Sequence, residues 1–454
     1  MMKASLKIIP KYRYALLCIA FLLVVCPAHT ENDSLYKKIL AKTLNYLELN
    51  QIKSQNGISS FPGEWPTYIE NLEKIPFLGY RGKSAYDSNI FNTLFIHNGL
   101  AEYYMKIDPN PKIISMMKKA QASFHLYIKD STFNFWPELP RAEHIRCGHI
   151  NCTQRRANNF YYHYRFINDY ANIYNDADDT SAGLLAFFLN NSIKTSMGCD
   201  SLAYFNSYKL STFVDRYRDK GKRKTNWYNK KLGFNYRTGA YLTWFGKDRE
   251  NSSFFNWFKP YHSQQNILFG TNEIDCVVNA NILRVLYITG DTLGNGIEDS
   301  KKFLNSVVDK NLCNTCGVYY PSEFSFHYAV AKAIDSKVNG LNDIKNKITK
   351  DILEKRNNKG YWNSYANFNE VHVTLLCVNV LLLLQEKNEF KKEIEEGLNF
   401  VMESRLEEGD VNSWPAGIFF SGGSAVRYEH VWRSDAYTCM LAIEAIGNFL
   451  KMEK

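Results

Sequence analysis

Residues 359–384 read KGYWNSYANFNEVHVTLLCVNVLLLL, an aromatic turn with glycine followed by the apolar run 371–384. A helix made from that run is apolar on nearly every side, which is typical of a helix buried on all sides. The same unit, a Gly- or Trp-containing turn and then an apolar helix, recurs along the chain. The other units are GEWPTY (63–68) with DSNIFNTLF (87–95), FNFWPEL (133–139) with DDTSAGLLAFF (178–188), TGAYLTWF (238–245) with DCVVNANILRVL (275–286), CGVYYPSE (316–323) with SFHYAVAKAI (325–334), and NSWPAGIFF (412–420) with SDAYTCMLAIEAI (434–446).

More polar, amphipathic segments separate these apolar helices. Six buried helices alternating with outer ones predict an all-α fold, an (α/α)6 toroid of six helical hairpins with an inner helix ring inside an outer one. We expect residues 31–454 to form this toroid as a single domain. The amphipathic segments are 34–49, 114–128, 300–309, 341–355 and 390–403.

In such a barrel the inner helices run parallel, so their N-termini gather at one mouth. Ionisable side chains at the helix openings are therefore expected there, together with the positive ends of the helix dipoles. A capping role competes with a binding role, because Asp is among the best N-cap residues and each cap contributes roughly 0.5–2 kcal/mol. Both interpretations stay open for Asp87, Asp275 and Asp435. The candidate ligand-binding residues of the mouth are Asp87, Glu273, Asp275, His327, His372 and Asp435.

The second helix opening, residues 174–188 (YNDADDTSAGLLAFF), holds more acid than a cap needs. One cap uses one side chain, whereas Asp176, Asp178 and Asp179 place three carboxyl groups in four positions. A helix N-terminus favours the ionised carboxylate, but burial and like-charged neighbours raise a carboxyl pKa. The cluster therefore suits a proton donor only inside a dry, aromatic cavity. Histidines expected to stabilise the carboxylate after proton loss are His327, His372 and His430.

The pattern Asp176-Ala177-Asp178-Asp179-Thr180 resembles the DxDD-T motif of squalene–hopene cyclases and other class II terpene cyclases, members of the terpenoid cyclase and protein prenyltransferase superfamily of α/α toroids. The resemblance implies that the motif opens an inner helix and that Asp178 donates a proton to an alkene. It also implies that Asp176 and Asp179 orient Asp178 and tune its acidity, without a cofactor or a metal. Aromatic faces would stabilise the carbocations, and the chain has 30 Tyr and 29 Phe.

Two other functions remain open. Exported α/α toroids include glycoside hydrolases, polysaccharide lyases and sugar epimerases. In an inverting hydrolase Asp178 or Asp179 would be the acid, with Glu273 or Asp275 as the base at a separation of roughly 6.5–9.5 Å. A non-catalytic toroid that binds a ligand in its mouth is the third interpretation. The expected ligand is accordingly a small lipid or a glycan.

The first 30 residues are typical of a signal peptide. Basic residues precede an apolar run at 15–25 that is too short to span a bilayer comfortably, and Ala28 suits a cleavage site. We expect an exported protein, with an uncleaved N-terminal anchor as the alternative. The formal net charge of +9 is modest, and no nucleic-acid-binding module is recognisable. The basic stretch 216–231 leaves contact with an anionic membrane surface open, and the sequence does not indicate an oligomeric state.

Export makes disulfides the first interpretation of the cysteines. Cys147 with Cys152, and Cys313 with Cys316, are close enough in sequence to pair, so two local disulfides are expected. The ligand types in the motif H-x-x-C-x-H-x-x-C at 144–152 also suit zinc. Tetrahedral zinc sites usually draw a second ligand pair from distant sequence, which favours the disulfide.

Overall fold

The computed structural model describes residues 33–72, 83–141, 153–161, 168, 171–193, 209–221, 227–246, 265, 271–364, 369–422 and 427–453. The helices are α1 (33–50), α2 (Ile90–Lys106), α3 (Pro111–Ser123), α4 (Ala177–Ser192), α5 (Leu210–Val214), α6 (Trp227–Lys231), α7 (Cys276–Thr289), α8 (Gly296–Asp309), α9 (Glu323–Asp335), α10 (Asn342–Lys355), α11 (Glu370–Leu384), α12 (Lys391–Glu403) and α13 (Asp435–Met452), with a 3-10 turn at Phe124–Leu126. The strands are β1 (Tyr68–Asn71), β2 (Ser84–Tyr86), β3 (Ile128–Lys129), β4 (Thr132–Phe133), β5 (Glu138–Pro140), β6 (Thr153–Arg155), β7 (Leu406–Glu408), β8 (Val411–Ser413), β9 (Gly417–Ser421) and β10 (His430–Ser434). Among these residues, no helix is long and apolar enough to cross a membrane.

Six of the described helices form a closed inner ring. Each packs against the next in the order α2, α4, α7, α9, α11 and α13, and α13 packs back against α2. Neighbouring inner helices run in the same direction, since their contacts join residues at similar depths, as Asn98 with Ala182 and His372 with Thr438 do. The expected all-α toroid is therefore confirmed.

The outer helices are amphipathic, whereas the inner ones are buried all round. Every residue of α11 from Val371 to Leu381 is buried. The outer helix α12 packs against it and buries one face, through Ile394, Leu398 and Val401. Helices α3, α8 and α10 likewise cover α2, α7 and α11, respectively. Between α4 and α7 the described chain has only the short helices α5 and α6.

Every inner helix begins with a side-chain cap. In each, the cap oxygen accepts a hydrogen bond from a backbone N–H of the first turn, which otherwise has no partner within the helix. Asp275 takes this role, which is one of the two that the sequence left open for it. Asp87 and Asp435 do not, because Asn89 and Ser434 cap their helices instead. The six caps are Asn89, Asp176, Asp275, Ser322, Asn369 and Ser434.

A four-stranded antiparallel sheet, in the order β2–β1–β10–β9, lies at the end of the ring where the inner helices begin. Strand β10 leads directly into α13. Phe419 and Phe420 of β9 pack on Phe91 at the start of α2, with ring centroids 5.8 and 5.7 Å apart. At the predicted mouth, aromatic side chains from the turn before α13 fold over the helix starts. We call this layer the aromatic cover.

One disulfide joins Cys276, the first residue of α7, to Cys316 in the turn before α9, with Cα atoms 5.6 Å apart. Cys313 is a free thiol. The predicted Cys313–Cys316 pair is therefore wrong, because the ring brings the starts of α7 and α9 together across 40 residues of sequence. The predicted Cys147–Cys152 pair, the alternative zinc motif and the signal segment lie outside the described residues.

Candidate active site

A cavity runs along the axis of the inner ring, next to the aromatic cover. Its volume, counted as the space open to the centre of a water molecule, is about 90 Å³. Apolar side chains make up most of its walls. Asp178 lies near the helix starts, which we call the acid end, and four charged side chains lie at the opposite end. The aromatic lining residues are Phe91, Phe95, Tyr320, Tyr328 and Tyr437.

Asp178, in the first turn of α4, lines the cavity with both of its oxygens hydrogen-bonded. The Nδ2 group of Asn281 on α7 donates to Oδ1 at 2.8 Å, and the hydroxyl of Tyr320 donates to Oδ2. Both donors stabilise the ionised carboxylate. An amide and a phenol thus take the role that the sequence predicted for a histidine.

Asp176 and Asp179 form a carboxyl pair behind Asp178. Asp176 is the N-cap of α4, and its Oδ1 accepts the backbone N–H of Asp179 at 2.8 Å. Burial, and more weakly the charge of Asp178, raise the pKa of Asp176 above its usual value. Burial, and then the charge of Asp176, raise the pKa of Asp179 well above its usual value. Asp176 is thus the cap of α4, and Asp178 and Asp179 are the acids beyond what a cap needs.

The pKa of Asp178 also lies above its ordinary value. Burial raises it, while the hydrogen bonds from Tyr320 and Asn281 lower it without cancelling the effect of burial. Because its pKa is raised, this carboxyl group stays protonated up to a higher pH than an exposed aspartate does. It retains two donors for the carboxylate that forms on proton loss, which is what a general acid in an apolar cavity requires.

The turn before α9 positions Tyr320 over Asp178. Asp275 caps α7 through Oδ1 and accepts the backbone N–H of Tyr319 at Oδ2, at 3.0 Å. The hydroxyl of Tyr319 donates to Glu273 and accepts from Nε1 of a tryptophan in the 238–245 turn, at 2.8 Å. Burial raises the pKa of Asp275 to about 7. Glu273 and Asp275 therefore hold this turn in place and do not line the cavity.

Asp87 belongs to the aromatic cover. Its Oδ2 accepts hydrogen bonds from Nε1 of Trp136 at 2.9 Å and from Nε1 of Trp432 at 2.7 Å. Burial raises its pKa to about 6 in spite of these donors. The carboxyl group joins Trp136, which lies between β4 and β5, to Trp432 of strand β10, outside the cavity wall.

The other predicted mouth residues also face away from the cavity. Nε2 of His327 lies 3.1 Å from Oδ2 of Asp351 on the outer helix α10. Nδ1 of His372 lies 3.3 Å from Oγ1 of Thr438, between α11 and α13. Asp435 accepts a hydrogen bond from a tyrosine hydroxyl of α1. These side chains join helices to one another, and Asp178 alone of the predicted site residues lines the described cavity.

Four charged side chains at the opposite end of the cavity form what we call the ion layer: Glu102, Arg284, Lys332 and Glu444. Arg284 and Lys332 both pair with Glu102. The Nζ of Lys332 lies 2.6 Å from Glu102 and 2.9 Å from Glu444. Burial raises the pKa of Glu102, but the charges of Arg284 and Lys332 outweigh it and hold that pKa well below its usual value.

Sequence reasoning missed Tyr320 and the whole ion layer. A signal for the ion layer exists, since each member is a charge inside an otherwise apolar inner helix, such as Lys332 in HYAVAKAI and Glu444 in CMLAIEAI. A buried charge is costly without a partner, so such a residue predicts an opposite charge on a neighbouring helix. Which helix supplies it depends on the register between helices, which the sequence does not show.

The acid end does not have the form of a metal site. Asp178 is engaged by two protein donors, and burial raises the pKa of Asp176 and that of Asp179 above their usual values. Among the residues that the structure describes, no three His, Cys, Asp or Glu side chains are grouped so that they could hold a metal ion.

Solved structures share this fold. The type II terpene cyclase MstE from Scytonema superposes with a TM-score of 0.52 at 11% identity, over 92% of this chain and 99% of that one. A variant of MstE in complex with its substrate geranylgeranyl dihydroxybenzoate gives a TM-score of 0.50 at 12% identity over the same shares. A protein from Actinoplanes gives 0.52 at 10% identity, over 91% of this chain and 99% of that chain. No protein-family model matches the sequence, and no curated protein is similar to it in sequence. At these identities the likeness shows the fold alone, an α/α toroid of the kind seen in type II terpene cyclases.

Proposed function

We propose that the protein is a cyclase of the class II terpene type, in which Asp178 protonates an alkene of an isoprenoid substrate held in the cavity. One observation carries the proposal: the middle acid of the DxDD motif is the carboxyl group that lines an aromatic cavity, with a raised pKa and two donors at hand. A lone cap would need none of these features.

The chemistry begins when the proton on Asp178 adds to an alkene carbon. A C–H bond forms, the π bond breaks, and a carbocation remains on the neighbouring carbon. A second alkene of the same chain then supplies its π electrons to that carbon and closes a ring, and loss of a proton from the last cation ends the reaction. The carboxylate left on Asp178 keeps the hydrogen bonds from Asn281 and Tyr320.

The cavity walls suit cationic intermediates. The faces of Phe and Tyr rings attract a cation, with a gain of up to about 2 kcal/mol when water is excluded. Phe95 and Tyr437 stack with ring centroids 3.7 Å apart on the wall of the cavity. The fold is shared with a cyclase whose substrate carries a geranylgeranyl chain, and this supports an isoprenoid substrate class.

Carbohydrate chemistry is less well supported. An inverting hydrolase needs two carboxyl groups that face each other across a water molecule. Glu273 and Asp275, the expected bases, are both bound to Tyr319 outside the cavity wall. The carboxylates facing Asp178 from the far end, Glu102 and Glu444, are paired with Lys332.

We also propose that the protein is exported, as its first 30 residues suggest. The Cys276–Cys316 disulfide supports this, because structural disulfides persist mainly in oxidising compartments.

The test is turnover by the wild type and by Asp178→Asn, with the exposed Asp343→Asn as the matched control. Farnesyl and geranylgeranyl alcohols, acids and diphosphates are incubated with each protein, and cyclised products are identified by gas chromatography and mass spectrometry. We expect products from the wild type and the control, and a loss of at least about 1,000-fold in Asp178→Asn with its melting temperature retained. Equal activity of Asp178→Asn, or turnover of oligosaccharides in place of prenyl compounds, contradicts the proposal.

A further inference from the structure

The turn before α9 brings Tyr320 to the acid end, and two parts of the molecule hold it there. The start of α7 is joined to this turn by the disulfide. The aromatic cover contacts the same turn. Phe420 packs on the ring of Tyr320, with centroids 5.8 Å apart. The backbone N–H of Ser421 donates to the carbonyl oxygen of Tyr319 at 2.8 Å. The acid end and the aromatic cover are therefore connected through this turn.

Arg427, in the segment that leads from β9 to β10, reaches the turn before α9 with its guanidinium group. Its Nη1 donates to the carbonyl oxygen of Thr315 at 3.2 Å and to the hydroxyl of Tyr228 at 2.6 Å. Its Nη2 donates to the carbonyl oxygens of Asn314 at 3.1 Å and of Tyr320 at 3.3 Å. A guanidinium group is a rigid, planar fork of donors, so these bonds fix the turn in orientation as well as in distance.

The backbone beside Arg427 is strained. Tyr428 has a φ of 65°, in the left-handed region that a bulky side chain rarely adopts. Its hydroxyl donates to the carbonyl oxygen of Pro321 at 3.4 Å, and the guanidinium carbon of Arg427 lies 4.8 Å from the centre of its ring. Strain of this kind persists only where the surrounding contacts fix the conformation, and it is common at functional sites. Both side chains thus bind the turn before α9.

From these contacts we infer that Arg427 is a positioning residue for the acid: it holds the turn before α9 against the aromatic cover and so keeps the hydroxyl of Tyr320 on Asp178. Arg427 is not among the residues that line the described cavity, so it acts through Tyr320 and not on a substrate. The inference rests on the proposed function for the reaction of Asp178, whereas the effect of Tyr320 on Asp178 can be measured without turnover.

Positioning must be separated from a direct effect of the arginine charge, because a nearby cation lowers a carboxyl pKa by itself. In the folded protein the pKa of Asp178 is raised by burial and lowered by the hydrogen bonds from Tyr320 and Asn281. Loss of Arg427 should therefore act on that pKa only by way of Tyr320. The titratable groups that face Asp178 are Asp176 and Asp179 on its own helix, Asp275 at the start of α7, Tyr320, and Tyr437 on α13.

The test follows the protonation of Asp178 by infrared titration of the full chain. Its protonated carboxyl group is identified as the C=O band that Asp178→Asn removes. We expect Arg427→Met to raise the pKa of Asp178, as Tyr320→Phe does, because the carboxylate loses the phenol donor. The double variant should show no larger shift than Tyr320→Phe alone. Arg427→Lys keeps the charge but not the planar fork, and it should restore only part of the wild-type behaviour.

Arg218→Met is the matched control. Arg218 also holds a turn, through the carbonyl oxygen of Gly239 and the carboxylate of Asp299, and its loss should leave the pKa of Asp178 unchanged. Tyr228→Phe is a milder variant, which keeps the inference testable if Arg427→Met does not fold. It removes a hydroxyl that accepts from Arg427 and donates to the carbonyl oxygen of Thr315. A smaller shift in the same direction is expected.

Activity gives a second measurement. With a substrate that the wild type converts, Arg427→Met should lower kcat several-fold, and by no more than about tenfold, with KM unchanged. The decline of activity should move to higher pH. An unchanged pKa of Asp178 in both Arg427→Met and Tyr228→Phe overturns the inference. So do shifts that add in the double variant of Arg427 and Tyr320, because Arg427 then acts by its own charge.

The two proposals can fail separately. If no probe is converted, or if Asp178→Asn stays active, the proposed cyclase is wrong, and the infrared titration still decides whether Arg427 positions Tyr320. If the wild type is active, Asp178→Asn is inactive and the arginine variants leave the pKa of Asp178 unchanged, the acid stands and the positioning role does not.

Discussion

The pKa values of buried carboxyl groups are shifted in opposite directions at the two ends of the cavity. At the acid end, burial raises the pKa of each of four aspartates, and no salt bridge in the described part of the chain reaches any of them. In the ion layer, burial acts on Glu102 in the same direction, yet Arg284 and Lys332 hold its pKa well below the usual value. The four aspartates are Asp176, Asp178, Asp179 and Asp275.

Burial alone therefore does not determine the charge of a carboxyl group in this barrel. The deciding factor is whether a neighbouring inner helix places a cation beside it. Without one, burial raises the pKa of the group, so it keeps its proton to a higher pH and is better suited to act as an acid. With one, it is a fixed anion that holds the cation in position and makes a polar boundary for an apolar space.

The largest effect on stability is expected from breaking the ion layer. Lys332→Met leaves Glu444 without a cation and Glu102 with Arg284 alone. We expect the free energy of unfolding to fall by about 3 kcal/mol, since the desolvated carboxylate loses its partner. Urea titration measures the change.

The control for this variant is Lys347→Met, which breaks an exposed ion pair with Asp309. We expect the loss there to be below about 1 kcal/mol. If the two variants lose similar amounts of unfolding free energy, burial does not make the ion layer more important than an exposed ion pair. The contrast drawn between the two ends of the cavity is then wrong.

Tyr320→Phe tests the acid end at a smaller magnitude. It keeps the ring but removes the donor to Oδ2 of Asp178. The carboxylate becomes less stable, so kcat should fall about tenfold with KM unchanged. Because that hydrogen bond lowers the pKa of Asp178, its loss raises the pKa. Activity needs the protonated acid and declines as pH rises, so the decline should move to higher pH.

Tyr328→Phe is the matched control in the same cavity. It removes a hydroxyl from the ion layer, where the phenol donates to Glu444. Its pH–rate profile should keep the wild-type midpoint. A shift of the same size in both variants contradicts the assignment of the titrating group to Asp178.

The smallest effect is a pH-dependent stabilisation by Asp179→Asn. In the folded wild type the pKa of Asp179 is raised, so the folded state binds a proton that the unfolded state releases above about pH 4. Stability then falls as pH rises from that point towards the folded pKa. Asn cannot ionise, so the melting temperature of the variant should match the wild type near pH 4 and exceed it by about 1–3 °C near pH 8. A difference in melting temperature between Asp179→Asn and the wild type that is the same at every pH contradicts this prediction. The control Asp343→Asn should show no pH-dependent difference from the wild type.

The fold was predictable because its signal is local. An apolar run such as 371–384 can only be a helix buried on all sides, and six such runs close a ring. The DxDD motif likewise indicated which acid to consider. The caps at Asn89 and Ser434 were missed because a neighbouring aspartate offers the same chemistry in each case.

The remaining features depend on register between helices. The Cys276–Cys316 bond, the contact of Tyr320 with Asp178 and the whole ion layer each join residues on different inner elements. Sequence periodicity gives the face of one helix but not the depth at which the next helix meets it. For the same reason His327 was placed at the mouth, whereas it faces α10.

The most direct test of the account follows the proton itself. The wild type is incubated with geranylgeranoic acid in deuterium oxide, and the cyclised product is examined by mass spectrometry and carbon NMR. The account predicts one deuterium per product molecule, on the carbon that receives the proton from Asp178. Cyclised product without deuterium, or with the same labelling from Asp178→Asn, contradicts it.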